Sequence, residues 1–193
     1  MPSHLRRHNE PGSIHFWTIS CFQRLSFFHD DGMKQVVVDG LRVLRQQFGV
    51  CLISYVVMPD HVHVVLLPQR RNQPAPIGIS SLLATFKKHV GFHGKQRLRD
   101  VWRQQARLWS EPLNNWANGV YGERPIWIPR GYDSNIDRWE TLRKAMDYCH
   151  CNPLTRGFVQ RAEDWAWSSY RFYAMDDRSV LAMDWDGRWP IVW

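Results

Sequence analysis

Segments of period-two and helical-period hydrophobicity alternate in the order strand, helix, strand, strand, helix, strand, helix, which predicts an α+β fold. Only Met58-Pro59-Asp60 separates the second strand from the third, so those two pair as a hairpin. The helical segments fall in the two longer connections. Together these observations predict a ferredoxin-like (RRM-like) antiparallel sheet with helices on one face and one helix added.

Ser13 to Phe22 is rich in β-branched and aromatic residues, with Ile14, Phe16, Thr18 and Ser20 alternating against His15, Trp17, Ile19 and Cys21, and it reads as the first strand. From Met33 the period changes. Met33, Val37, Leu41, Leu44 and Phe48 share a helical face, and Gly49 stands where that helix would stop. Val50 to Val57 and His61 to Leu67 form the hairpin strands, closed by Pro68. Gln69 to Gly78, with Arg70, Arg71, Pro74 and Pro76, reads as an exposed loop. Ser80 or Ser81 caps a helix with Leu82, Leu83, Phe86 and Val90 inward, which Gly91 and Gly94 interrupt. Pro112 to Glu123 reads as an irregular stretch, and Ile126-Trp127-Ile128, between Pro125 and Pro129, as an edge strand. The last helix runs from Arg138 with Leu142, Ala145, Met146 and Cys149 inward. It ends at Asn152, because the residue before Pro153 is disfavoured in the α region. At 193 residues the chain suits one domain: 1–175, with an insertion at about 93–123, followed by a C-terminal tail at 176–193.

The formal charge of +7 and eleven tryptophans favour a polyanionic partner with bases to stack on. Lys95, Arg99, Arg103 and Arg107 recur every four residues and lay a basic stripe along one helix side. Lys87, Lys88, Arg99, Arg103, Arg107, Arg130 and Arg156 are the candidate DNA-binding residues. Cys21, Cys51, Cys149 and Cys151 form neither a paired framework nor a CxxC knuckle, which suits a reducing cytoplasm. No apolar run approaches the roughly 20 residues of a membrane span, and the N-terminus lacks the apolar core of a signal peptide. The chain is expected to act in the cytoplasm, as a monomer or a homodimer.

His61-Val62-His63 puts two imidazoles on one face of a strand. Far downstream, Tyr148 and Asn152 lie four apart on one helix face. A tyrosine hydroxyl, with an ordinary pKa near 10, is a poor nucleophile unless its electrophile is polarised. A divalent ion held by His61, His63 and the Asn152 amide would polarise a phosphodiester for in-line attack by Tyr148, and Mg²⁺ or Mn²⁺ is the expected metal.

The His-hydrophobic-His pattern, within Met58-Pro59-Asp60-His61-Val62-His63, resembles the HUH signature. With Tyr148-x-His150-x-Asn152-Pro153, Gly157-Phe158-Val159 and Asp164-Trp165-x-Trp167-Ser168-Ser169-Tyr170-Arg171, it resembles the REP-associated tyrosine transposases over about Ser13 to Tyr173. That resemblance implies an HUH nuclease fold. It also implies site-specific cleavage and rejoining of single-stranded DNA beside a palindromic hairpin, as in repetitive extragenic palindromes, through a 5′-phosphotyrosine that leaves a free 3′-OH. Tyr148 is then the nucleophile, His61 and His63 are metal ligands, and Asn152 is the third ligand where many relatives carry a Gln. Two rivals stand beside it: a non-catalytic DNA or RNA hairpin-binding protein that keeps the fold, and a zinc-stabilised module using Cys149 and Cys151. His150 reads as structural.

Overall fold

The computed structural model describes residues 13–68, 78–105, 109–123 and 125–188. Its elements are β1 (Ile14–Ser20), α1 (Asp31–Phe48), β2 (Cys51–Met58), β3 (His61–Leu67), α2 (Ile79–Gln105), α3 (Glu111–Ala117), β4 (Tyr132–Ile136), α4 (Trp139–Thr155) and α5 (Tyr170–Met175). The four strands form one antiparallel sheet in the order β2-β3-β1-β4. Two interlocked β-α-β units produce this order, so the expected α+β architecture stands.

Alternation along each strand divides the core in two. Trp17, Ile19, Tyr55, Val57, Val62, Val64 and Leu66 face α1 and α2. Ile14, Ile53, Val56, Met58, Val65 and Leu67 face the other way, against Leu142, Ala145, Met146 and Cys149 of α4. Helices therefore cover both faces. The two core helices share one face as expected, while the added helix α4 packs on the opposite one and brings Tyr148 to the histidine side. A bulge between Leu52 and Ser54 shifts the β2 register so that Ser54 turns toward α4 and Tyr55 toward α1.

Local chemistry fixes the helix ends. The Asp30 carboxylate accepts from the backbone N–H groups of Gly32 and Met33 at the start of α1, and Gly49, at φ 65°, closes its end. At the end of α4 the Gly157 N–H donates to Leu154 O and the Phe158 N–H to Pro153 O, with Gly157 at φ 71°. These paired bonds absorb the orphan carbonyls of the final turn. That cap carries α4 through Pro153 to Thr155, beyond the stop expected at Asn152.

Other expectations are corrected. Gly91 and Gly94 do not break α2, which continues to Gln105. Gly94 is there for close approach: a Cβ would lie 2.8 Å from Ile126 Cδ1 and 3.1 Å from Met33 Cε. The stretch from Pro112 to Glu123 is not wholly irregular, since it contributes most of α3, whose Leu113 and Trp116 are buried. Ile126-Trp127-Ile128 is no strand. Only Trp127 bridges, to Cys21, and its ring packs on Phe28 while β4 forms five residues later. Apolar character at Ile126 and Trp127 signals burial beside a single bridge, not an extended ladder. The expected loop at 69–78 lies outside the described residues except for Gly78.

The segment after α4 closes the outer edge of β2. Val57 N–H donates to Trp167 O at 2.8 Å and Ser169 N–H to Tyr55 O at 3.0 Å. Further along, Asp184 N–H donates to Leu52 O, and the Asp184 carboxylate accepts from Leu52 N–H and from Arg45. Leu181 and Met183 pack into the α1–α2 core and Trp185 into the α4 core. The described part of the expected tail is thus built into the fold, and it blunts an edge that would otherwise present unpaired backbone groups.

Candidate active site

Register sets the site. His63 pairs with Thr18 of β1 and Val56 of β2, and His61 with Ser20 and Met58. Both histidines are buried, with rings 4.7 Å apart. The Tyr148 ring, on the facing turn of α4, stands edge-on to His63 at 4.9 Å while remaining 52% exposed. Phe16 stacks on His63 at 5.4 Å and meets Tyr148 at 6.1 Å, walling the site from the β1 side.

The imidazoles are oriented by their neighbours. Asp60 Oδ1 lies 2.5 Å from His61 Nδ1. A carboxylate can only accept, so Nδ1 carries the proton and the Nε2 lone pair points away from Asp60. Arg24 holds the other Asp60 oxygen at 2.8 Å from a turn at Phe22–Arg24, where Gln23 and Arg24 both take left-handed backbone conformations. Burial opposes ionisation of Asp60, but the hydrogen bond and charge of His61, with Arg24 and Arg156, hold its carboxyl below the usual range. His63 Nδ1 sits 2.9 Å from Thr18 Oγ1. Burial, reinforced by the charge of His61, pushes the His63 imidazole down to about 3, so it is neutral at physiological pH.

Two buried atoms here lack a hydrogen-bond partner among the described residues: His63 Nε2 and Asn152 Oδ1. An unsatisfied buried polar atom costs roughly 1–3 kcal/mol. The Asn152 oxygen carries available lone pairs, and His63 Nε2 does so in the tautomer whose Nδ1–H donates to Thr18; a metal ion accepts both. Among the described residues no group of three His, Cys, Asp or Glu could hold a metal. The two imidazoles of His61 and His63, with the buried Asn152 amide one turn along α4 from Tyr148, are donors of the kind a divalent ion takes. Cys149 and Cys151 do not form the zinc pair considered from sequence. Cys149 is buried, its thiol pushed up to about 12 by burial, while Cys151 is exposed on another side of α4.

No family model matches the chain. Two curated proteins named REP-associated tyrosine transposases do. One, from Haemophilus influenzae and provisionally so described, is 22% identical over 96% of this chain and 94% of its own length; the other, from Escherichia coli, is 22% identical over 96% and 92%. The chain is similar to REP-associated tyrosine transposases along almost its whole length. A solved REP-associated tyrosine transposase bound to a REP hairpin shares the fold, with a TM-score of 0.64 at 20% identity, over 96% of this chain and 92% of that one.

The residues that mark the resemblance divide into two groups in the structure. Asp60, His61, His63, Tyr148 and Asn152 lie around the site. The Trp-x-Trp-Ser-Ser segment instead serves the β2 edge: Trp165 Nε1 donates to Val57 O, Trp167 Nε1 to Asp31, and Ser169 Oγ bonds Tyr55 N–H, Ser54 and His150 Nε2. His150 is structural, as expected from sequence. Burial pushes its imidazole down to about 4.

The basic candidates are scattered. Arg156 is exposed at the end of α4 and near enough to act on both Asp60 and His63. Arg130 is exposed two residues before β4, and Lys88 and Arg99 are exposed on α2. Lys87 Nζ donates to Ile128 O and Pro129 O, anchoring the approach to β4. The side chain of Arg103 and all of Arg107 lie outside the described residues. Sequence reasoning missed Arg24, Asp60, Thr18 and Phe16. Asp60 could have been found from its place beside His61; the others arrive only through register and a strained turn. No helix among the described residues is long and apolar enough to cross a membrane.

Proposed function

We propose that this protein is a metal-dependent, site-specific endonuclease and strand transferase acting on single-stranded DNA beside a palindromic hairpin. The observation that carries the reading is the half-exposed Tyr148 ring edge-on to a buried His63 whose Nε2 lacks a partner. The similarity to REP-associated tyrosine transposases, and the hairpin bound by the solved one, support the substrate class.

In this mechanism Tyr148 Oη forms a bond to the scissile phosphorus as the bond from phosphorus to the 3′ oxygen breaks. The tyrosine proton is released, the departing oxygen takes up a proton as a 3′-OH, and the 5′ phosphate remains on the tyrosine. Rejoining runs the same exchange backward. His61, His63 and Asn152 would hold Mg²⁺ or Mn²⁺, which when bound supplies Lewis-acid polarisation of the phosphate. Asp60 and Arg24 orient His61, and Phe16 packs against both the His63 and Tyr148 rings and fixes their mutual orientation. A phosphate must bend into this recess to reach Tyr148, which a single strand does readily and a stiff duplex resists.

The test incubates the protein with a flanked hairpin oligonucleotide, with the same sequence as a full duplex, and with Mn²⁺ or EDTA. Cleavage of the flanked hairpin in Mn²⁺, with neither duplex cutting nor activity in EDTA, is expected. Tight binding with no cleavage under any metal would favour the non-catalytic hairpin binder, and equal cutting of the duplex would overturn the single-strand assignment.

A further inference from the structure

One row of the sheet extends past the site. Val56 on β2, His63 on β3, Thr18 on β1 and Tyr132 on β4 are consecutive partners across the strands. Partners in an antiparallel ladder project to the same face, so Tyr132 points to the side that carries His63 and Tyr148. With adjacent strands about 4.8 Å apart, Tyr132 stands about 10 Å from His63, across Thr18.

The α4 core is built on β2, β3 and the Ile14–Ile136 end of the β1–β4 pair, and the Thr18–Tyr132 end is left open. Tyr132 is 50% exposed there, nearly as much as Tyr148. Its neighbours along the face are Thr18, Ser20 and Ser134, with Phe16 on the diagonal turned to His63 and Tyr148. No other ring packs on it among the described residues. An edge-strand tyrosine with one exposed face is common on its own. This one lies on the sheet face that the proposed nucleophile packs over, with exposed Arg130 two residues before it in the chain and exposed Arg156 near His63 on that same face.

We propose that Tyr132 is a stacking platform for an unpaired base adjacent to the phosphate cleaved at Tyr148. The inference rests on the cleavage reading of the site and specifies how the flank beside the hairpin is held. An exposed aromatic face accepts any base by stacking, and the exposed Arg156 near His63 suits the backbone that runs from that base to the cleaved phosphate. Tyr132 touches neither the reacting phosphorus nor His63, so it is a positioning residue. Its loss should weaken engagement of the flank and leave recognition of the paired stem alone.

The experiment uses two oligonucleotides, a hairpin with an unpaired flank and the same hairpin without it, and places 2-aminopurine at successive flank positions. The full-length protein should quench one flank position on binding. Tyr132→Ala and Tyr132→Val, the latter retaining strand propensity, should abolish that quenching, whereas Tyr132→Phe should keep it. Affinity for the flanked hairpin should fall about tenfold in the Ala and Val variants, within the range of a single base–aromatic stack, with affinity for the unflanked hairpin unchanged. Unaltered quenching and affinity in both variants would overturn this inference alone. An equal loss on both oligonucleotides, with melting temperatures unchanged, would also overturn it, because the contact would then be to the stem. Failure of the parent protein to bind either oligonucleotide would bring down the functional reading and this inference with it.

Discussion

Replacing Asp60 by Asn tests how the histidine pair is held. The substitution keeps the size of the side chain but removes the charge that sits 2.5 Å from His61 Nδ1 and 2.8 Å from Arg24 Nε. An amide can still accept from Nδ1–H, but more weakly, and its NH2 group can turn toward the ring instead. Loss of an outer partner of a ligating histidine typically costs about 10–100-fold in metal affinity or activity. The effect on stability should be far smaller. Arg24 is 44% exposed and the Asp60 side chain 18%, so screening limits the pair to about 1 kcal/mol or less. The hairpin turn keeps its backbone bonds, Cys21 N–H to Asp60 O and Phe28 N–H to Pro59 O, both 2.9 Å. A thermal shift of no more than about 2–4 °C is therefore expected for a chain of this size. Cleavage rates titrated against Mn²⁺ should show the half-saturation point displaced upward by at least about tenfold in Asp60→Asn. The same half-point in parent and variant, with the fold intact, would refute the orienting role of Asp60.

Other outcomes follow from the same geometry. His61→Ala or His63→Ala should abolish cleavage, and EDTA should do the same to the parent; activity retained in EDTA would remove the metal role. Asn152→Ala should do less harm than either histidine substitution. Asn152→Leu should melt no lower than the parent in EDTA, because Oδ1 has no partner to lose, yet should forfeit part of the stabilisation that Mn²⁺ gives the parent. Gly91→Ala should stabilise the fold by about 1 kcal/mol, since its Cβ meets nothing within 4 Å, while Gly94→Ala should gain less or lose stability against Ile126 and Met33; equal melting shifts would refute that account of α2. Arg130→Gln with Arg156→Gln should flatten the log–log salt dependence of binding, by about 0.7 for each single-strand phosphate no longer neutralised, without moving the cleaved bond. An unchanged slope would mean that these two side chains merely face solvent.

Much of the fold was legible in the sequence because local periodicity and tertiary burial agree. β1, β2, β3 and α1 lie where alternation and the Met33–Val37–Leu41–Leu44 face put them, and a strand period of two is enough to bring His61 and His63 together. The four-residue spacing of Tyr148 and Asn152 likewise survives into α4. The failures have physical causes. β4, with the sequence Tyr-Asp-Ser-Asn-Ile, carries little apolar signal because much of its surroundings is polar or open, whereas Ile126 and Trp127 are apolar because they fill the α1–α2 core without pairing as a strand. Gly94 misleads because a glycine needed for helix approach looks the same as one that ends a helix. Arg24 reaches Asp60 from left-handed backbone at two non-glycine residues, a conformation that carries no sequence signature. The docking of residues 165–169 and 181–185 along β2 depends on pairings more than a hundred residues apart in sequence.

Attack on the phosphate by Tyr148 is the central claim. The described tyrosines differ sharply in access: Tyr55 is 2% exposed in the core, Tyr170 packs on His150, and Tyr132 lies two strands from His63. The most direct measurement is mass spectrometric mapping of the covalent DNA adduct formed with a flanked hairpin in Mn²⁺, run on the parent and on Tyr148→Phe. The adduct is expected on Tyr148 in the parent and on no residue in the variant, with hairpin affinity nearly unchanged. An adduct on Tyr55, Tyr132 or Tyr170, or continued cleavage by Tyr148→Phe, would contradict that assignment.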